Sequence, residues 1–268
     1  MPKVREIEEF LFSIAPKYMK EDWDNVGHLC GRADAEVTRL LVSLDPFEAV
    51  IEEAKAAGAQ LVVSHHPLIF GAAKSVTDAD ATGRALLSAI EGGVAVISMH
   101  TNLDSAPGGV NDCLAAALGL TDVGVLAPAG KDEAGREYGL GRFGTVPEQS
   151  LSEFAMLVKT ALGCEGLRFA DAGKPVRRVA VGGGACGEFM AQALALGCDT
   201  FVTSDIKYNG FIDARDFGLN LIDAGHYQTE QVVCPYLAAQ LSAGFPALDV
   251  LLSKTRTDAA EWQAKSQE

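Results

Sequence analysis

Apolar positions in this chain fall into short unbroken runs separated by segments with a helical repeat. Residues 37–44 form an apolar run that stops at Asp45-Pro46, and residues 47–57 repeat with helical period up to Gly58. Leu61-Val62-Val63 predicts a buried strand, residues 84–90 a helix closed by Gly92-Gly93, and residues 94–99 a further strand. Residues 111–118 predict a helix stopped by Gly119. After a stretch rich in glycine, proline and charge at 120–139, which reads as a linker, the alternation resumes. Strands are expected at 138–146, near Leu167 and Arg178, at 200–203, 219–222 and 248–252. Helices are expected at 152–162, 188–196 and from His226, the last interrupted by Pro235. The polar tail after Lys254 reads as frayed. Short apolar strands alternating with helices predict an α/β protein whose mostly parallel or mixed sheets are covered on both faces.

Composition narrows the picture. The 268 residues are 48% hydrophobic, enough for a large core, and the formal charge is -14. Such acidity disfavours direct binding to nucleic acid or to an anionic membrane. No secretory leader and no membrane-spanning run is expected, and the six cysteines contain no C-x-x-C pair. They read as buried thiols in a reducing, cytoplasmic setting.

The candidate chemistry lies in histidines beside strand ends. Ser64-His65-His66-Pro67 follows one apolar run, His100-Thr101-Asn102-Leu103-Asp104 follows the next, and Gly225-His226-Tyr227-Gln228-Thr229-Glu230 follows the last interior one. Asp104 should emerge on the same carboxyl-terminal sheet edge as the His pair, where ligands bind in open α/β folds. His226 and Glu230 are four apart and share a helix face. Imidazole with carboxylate is a ligand set for a divalent transition metal. Five ligands are too many for one tetrahedral zinc with an open position, so the set suits two ions. The simplest arrangement places His66 and Asp104 on one, His65 and His226 on the other, and Glu230 between them. Two divalent ions against two carboxylates leave a net positive site that attracts phosphate-bearing ligands. His100 is a candidate proton shuttle or orienting residue, with a buried structural histidine as the alternative.

These blocks, with Glu21-Asp22-Trp23-Asp24-Asn25-Val26-Gly27, Leu68-Ile69-Phe70 and Gly108-Gly109-Val110-Asn111-Asp112, resemble the signatures of the GTP cyclohydrolase I type 2 homologue family, also called the Nif-three-like dinuclear metal family. They occur in the family's order across nearly the whole chain. The resemblance implies a Nif-three-like fold of two α/β domains, one from residues 1–128 plus 219–268 and a smaller inserted one from 129–218. It also implies a homohexameric toroid and, by motif, the same ligands: His65, His66, Asp104, His226 and Glu230. The chain departs from the family pattern at His28, Ser204 and Asn209.

The expected function is that of a cytoplasmic hydrolase with two divalent ions per subunit, iron, manganese or zinc. It would act on a small nucleotide or phosphate-containing molecule, with Asn25, Asp205 and Lys207 as candidate substrate contacts. The alternative is a non-catalytic metal-binding or regulatory ring. Gly182-x-Gly184-x-x-Gly187 formally matches a dinucleotide fingerprint, but a plain strand-to-helix turn is the favoured reading.

Overall fold

The computed structural model describes residues 1–262. In chain order it runs α1 (Val4–Ile14), β1 (Gly27–Cys30), β2 (Arg39–Ser43), α2 (Glu48–Ala56), β3 (Leu61–Ser64), α3 (Ala81–Gly92), β4 (Ala95–Ser98), α4 (Thr101–Ser105) and α5 (Val110–Ala117). Then follow β5 (Thr121–Lys131), β6 (Glu137–Gln149), α6 (Leu151–Ala161), β7 (Arg168–Ala170), β8 (Val176–Val181), α7 (Met190–Ala195) and β9 (Thr200–Thr203). The last elements are α8 (Tyr208–Asp216), β10 (Asn220–Asp223), α9 (His226–Glu230), α10 (Val233–Gly244) and β11 (Asp249–Leu252). The fold is mixed α/β with two sheets.

The chain divides into two compact units. The first comprises Met1–Gly109 and Val233–Thr257, with a sheet ordered β1-β4-β3-β2-β11. Its four neighbours from β4 to β11 are parallel, and β1 is an antiparallel edge strand. Every residue of β3 and β4 is buried, as a sheet covered on both faces requires. One face packs Leu41, Val62 and Val96 against Val50, Ile51 and Ala54 of α2 and Leu86 and Ala89 of α3.

The second unit holds Val110–Val232 with the described residues from Asp258 onward, and its sheet is ordered β5-β6-β8-β9-β10-β7. Among its hydrogen-bonded neighbours, β8–β9 and β9–β10 pair in parallel and the rest are antiparallel. Alternation along β8 sends Val179 and Val181 into a cluster with Phe154 and Val158 of α6. It sends Ala180 to the other face, with Phe201, Leu221, Ala193 and Ala214.

Several expectations need correction. Residues 120–139 are no linker: they supply β5 and the start of β6, a long antiparallel hairpin. Glycine and proline masked it, and tertiary pairing explains both. Pro128 lies on an edge strand, where a missing N–H costs no ladder bond. Gly124 pairs with Phe143 and Gly130 with Tyr138, whose rings fill the space a side chain would take. The expected domain boundaries also move. A cut after 128 would sever β5, and a cut before 219 would separate β10 from its parallel partner β9; the compact units divide at 109/110, 232/233 and 257/258. His226 and Glu230 therefore belong to the second unit.

The helix from His226 is interrupted as expected: the chain breaks between α9 and α10, and Pro235 occupies the first turn of α10, where no N–H partner is needed. The tail after Lys254 is anchored rather than frayed in its first residues: Glu53 accepts from Ser253 Oγ and from the amides of Lys254 and Thr255. Residues 263–268 lie outside the described residues. No described helix is long and apolar enough to cross a membrane.

The second unit also carries a buried ion pair. Arg142, with a side chain 3% exposed, donates twice to Asp112 at 2.8 and 2.9 Å and to the carbonyls of Gly139 and Gly141. Removing one partner would strand a buried charge. Asp112→Ala is expected to lower stability by about 3 kcal/mol, read as a reduced urea midpoint; a loss under about 1 kcal/mol would refute this.

Candidate metal centre

Both units place their chemistry at the carboxyl ends of three adjacent parallel strands. In the first, β2 runs on to Asp45, β3 to His65 and His66, and β4 to His100. In the second, β8 runs into Gly182-Gly183-Gly184, β9 into Ser204-Asp205 and β10 into Gly225-His226. Parallel register makes this inevitable: chain ends that leave neighbouring strands in one direction converge on one edge.

In the first unit the imidazoles of His65, His66 and His100 cluster, with ring centroids 5.0 to 5.6 Å apart. Each ring is fixed through Nδ1. His65 Nδ1 lies 2.8 Å from the Met99 carbonyl, His66 Nδ1 2.7 Å from Asp45 Oδ1, and His100 Nδ1 2.8 Å from Asp24 Oδ1. A carbonyl only accepts, so His65 carries a proton on Nδ1, and the tautomer this selects has its lone pair at Nε2. That lone pair faces Asp104 Oδ1 at 3.6 Å, with the imidazole wholly buried. Two acceptors facing each other at this spacing suit a cation. Ligands about 2.0–2.2 Å from one divalent ion stand roughly 3–3.5 Å apart.

Asp24 anchors this cluster from behind. Its carboxylate accepts from the Thr101 amide, the Thr101 hydroxyl and His100 Nδ1, and Thr101 Oγ1 accepts from the Glu21 amide. Burial pushes the Asp24 pKa up, but the bonds from His100 and Thr101 outweigh it and hold the value at about 2. Asp45 is held in turn by the Thr257 hydroxyl.

The second unit repeats the device. His226 Nδ1 lies 2.7 Å from Asp205 Oδ2, and its Nε2 lies 3.0 Å from Glu230 Oε2. Asp205 adopts the left-handed region at φ 57°, a strain that Asp tolerates better than most residues, to reach the ring. Gly184 explains the glycine-rich turn. At φ +64°, a side chain there would meet Glu230 Oε1 at 2.2 Å and His226 Nε2 at 3.1 Å. Its amide donates to Thr229 Oγ1. The turn is built for close approach to the His–Glu pair. The Gly183 amide donates to Asn111 Oδ1, which ties α5 to the same turn.

Sequence reasoning missed Asp45, although its place at a strand end was visible. It also missed the role of Asp24 as a ring holder. Asn25 uses its side-chain amide to donate to the Ile69 carbonyl. Lys207 lines a cleft of about 350 Å³ with Ser204, Asp205 and Asn209 in the second unit. His28 lies in β1, where its amide donates to Glu8. Cysteine is absent from the described clusters able to hold a metal, and burial pushes the Cys113, Cys164 and Cys198 thiols up to about 11.

Carboxylate or carbonyl on Nδ1, with Nε2 turned to a second carboxylate, is the arrangement that orients metal-ligating histidines. The family profile of DUF34/NIF3 (NGG1p interacting factor 3) matches residues 2–259.

The chain belongs to the DUF34/NIF3 family.

Its relatives within that family include the GTP cyclohydrolase 1 type 2 homolog of Clostridium perfringens, 33% identical over 97% of this chain and 99% of the relative. The homolog of the same name from Streptomyces coelicolor is 37% identical over 96% and 93%. The crystal structure of a Bacillus cereus protein related to NIF3 superposes with a TM-score of 0.91 at 27% identity, covering 98% of this chain and 99% of that one. For this DUF34/NIF3 member, the described donor set fits divalent metal: neutral imidazole nitrogens and carboxylate oxygens.

Two outcomes are expected. Asp24→Asn should cost about 2 kcal/mol at pH 7, since buried bonds to a charge are lost. A depressed carboxylate stabilises above its unfolded pKa near 4 and loses that contribution as pH falls through about 2. The gap between variant and wild type in urea unfolding should therefore close between about pH 4 and 2; a gap constant down to pH 2 would refute the assignment. Asp45→Ala and Asp205→Ala should each weaken metal uptake about 10–100-fold, measured by competition with a chelator. Unchanged affinity would show that neither carboxylate orients a ligand.

Proposed function

We propose that this protein is a dinuclear-metal-dependent hydrolase acting on a nucleotide or related phosphate-bearing small molecule. The candidate ligands are His65, His66 and Asp104 in the first unit, and His226 and Glu230 in the second. The observation that carries this reading is the shared device of the two units. In both, an imidazole locked through Nδ1 turns Nε2 toward a buried carboxylate.

The bound ions would supply Lewis acidity toward a water and a phosphoryl or carbonyl oxygen. The chain's own residues do the rest. Asp45 and Asp205 keep His66 and His226 in the ligating tautomer, as the Met99 carbonyl does for His65. His100, held by Asp24, is placed to move a proton at Nε2. Lys207, beside Asp205 in its cleft, is the candidate contact for a substrate phosphate. Iron, manganese and zinc all suit nitrogen and carboxylate ligands. A hexameric ring of such subunits is the assembly that the resemblance implies.

Naming of the family profile after an interacting factor supports a second reading, a metal-binding ring that acts through a partner without turnover. Elemental analysis and kinetics separate the two. Untagged protein supplied with iron, manganese and zinc is expected to hold close to two ions per chain, with a sharp fall in Glu230→Ala. It should release phosphate or open the base of at least one nucleotide at a rate that a chelator abolishes. Trace metal after supplementation would overturn the proposal. Two ions without any metal-dependent turnover would favour the ring.

A further inference from the structure

Two large aromatic side chains stand exposed beside the histidine cluster of the first unit. Trp23 is 59% exposed and Phe70 62% exposed, although aromatic rings this large usually bury most of their surface. Their ring centroids are 5.6 Å apart with planes tilted by 43°. Both meet His100 edge-on, at 6.0 Å and 74° for Trp23 and 6.3 Å and 67° for Phe70. His100 in turn lies 5.3 Å from His65 and 5.6 Å from His66. The aromatic pair is thus one ring away from the ligand imidazoles.

Its neighbours hold it rigid. Asp24, next to Trp23, is fixed by the three bonds from Thr101 and His100. Asn25 donates to the Ile69 carbonyl at 2.7 Å, which ties the turn carrying Trp23 to the one carrying Phe70. Leu68, two residues before Phe70, is buried. Each exposed ring is thus flanked by a buried residue of its own segment, Asp24 beside Trp23 and Leu68 near Phe70. A rigid exposed ring can stack on a planar ligand with little loss of side-chain freedom.

We propose that Trp23 and Phe70 form a stacking platform for the planar ring of the substrate, a nucleobase or related heterocycle, which places its phosphate-bearing end toward the histidine cluster. This rests on the hydrolase reading above and narrows its substrate to molecules that join a planar ring to an anionic group. The formal charge of -14 favours a mononucleotide over a polynucleotide, whose many phosphates the surface would repel.

The test uses the metal-loaded, full-length protein with GMP and with ribose 5-phosphate, which keeps the phosphate and lacks the ring. Affinities come from calorimetry, and oligomeric mass from light scattering. In wild type, GMP should bind about tenfold or more tighter than ribose 5-phosphate. Trp23→Ala and Phe70→Ala should each erase about tenfold of the GMP affinity, while Trp23→Phe retains it. Ribose 5-phosphate binding, metal content and mass should stay as in wild type. With Trp262→Phe, Trp23 is the sole tryptophan, and GMP should quench its fluorescence saturably.

GMP binding no tighter than ribose 5-phosphate, or unaffected by both alanine variants, would overturn the platform and leave the hydrolase reading standing. No binding of either probe would overturn both. A change of mass in the alanine variants, with GMP affinity lost in step, would make the aromatic pair an interface between copies and overturn the platform.

Discussion

One constraint organises the chemistry: the Nδ1 proton of each clustered imidazole is committed to an oxygen inside the protein. The Met99 carbonyl, Asp45, Asp24 and Asp205 accept a hydrogen bond from Nδ1 of His65, His66, His100 and His226 at 2.7 to 2.8 Å. A ring held this way has one nitrogen left to offer, and its direction is fixed. Without those acceptors, each histidine could flip or exchange tautomers, and the nitrogen facing Asp104 or Glu230 would no longer be defined.

The acceptors are available because of strand direction. Parallel neighbours deliver successive chain ends to one edge, so β2 supplies a ring holder where β3 supplies the rings. The second unit uses β9 and β10 in the same way. Local strain accompanies this. Asp205 holds a left-handed backbone, and Gly184 gives up a side chain to let Glu230 approach. Both cost conformational free energy, of the order of 1 kcal/mol each. The fully buried strands and the Arg142–Asp112 pair belong to the scaffold that holds them.

Acidity and aromaticity then work together. Three carboxylates, Asp24, Asp45 and Asp104, surround three imidazoles, so the first cluster favours a cation over an anion. In the proposed function, held cations would turn the same place toward phosphate, and the exposed rings of Trp23 and Phe70 would add an uncharged means of selecting among phosphates.

By itself, the sequence determined the parts that depend on local period and on residue chemistry. Apolar runs marked β2, β3, β4 and β9, because a strand buried on both faces is apolar through its middle. His65, His66, His100, Asp104, His226 and Glu230 stood out because imidazole beside carboxylate at strand ends is rare enough to notice. Tertiary structure decided what depends on partners distant in the chain. The hairpin at 121–149 was hidden, since its glycines are completed by rings on the opposite strand. The part played by Asp24 and Asp45 was hidden, because a carboxylate becomes a ring holder only when a histidine 76 or 21 positions away is brought within hydrogen-bond reach. The glycine turn at 182–187 read as a plain strand-to-helix turn, and only the fold shows that Gly184 leaves room for Glu230. Periodicity is local and so is written in the chain; the proximity of remote side chains is created by folding.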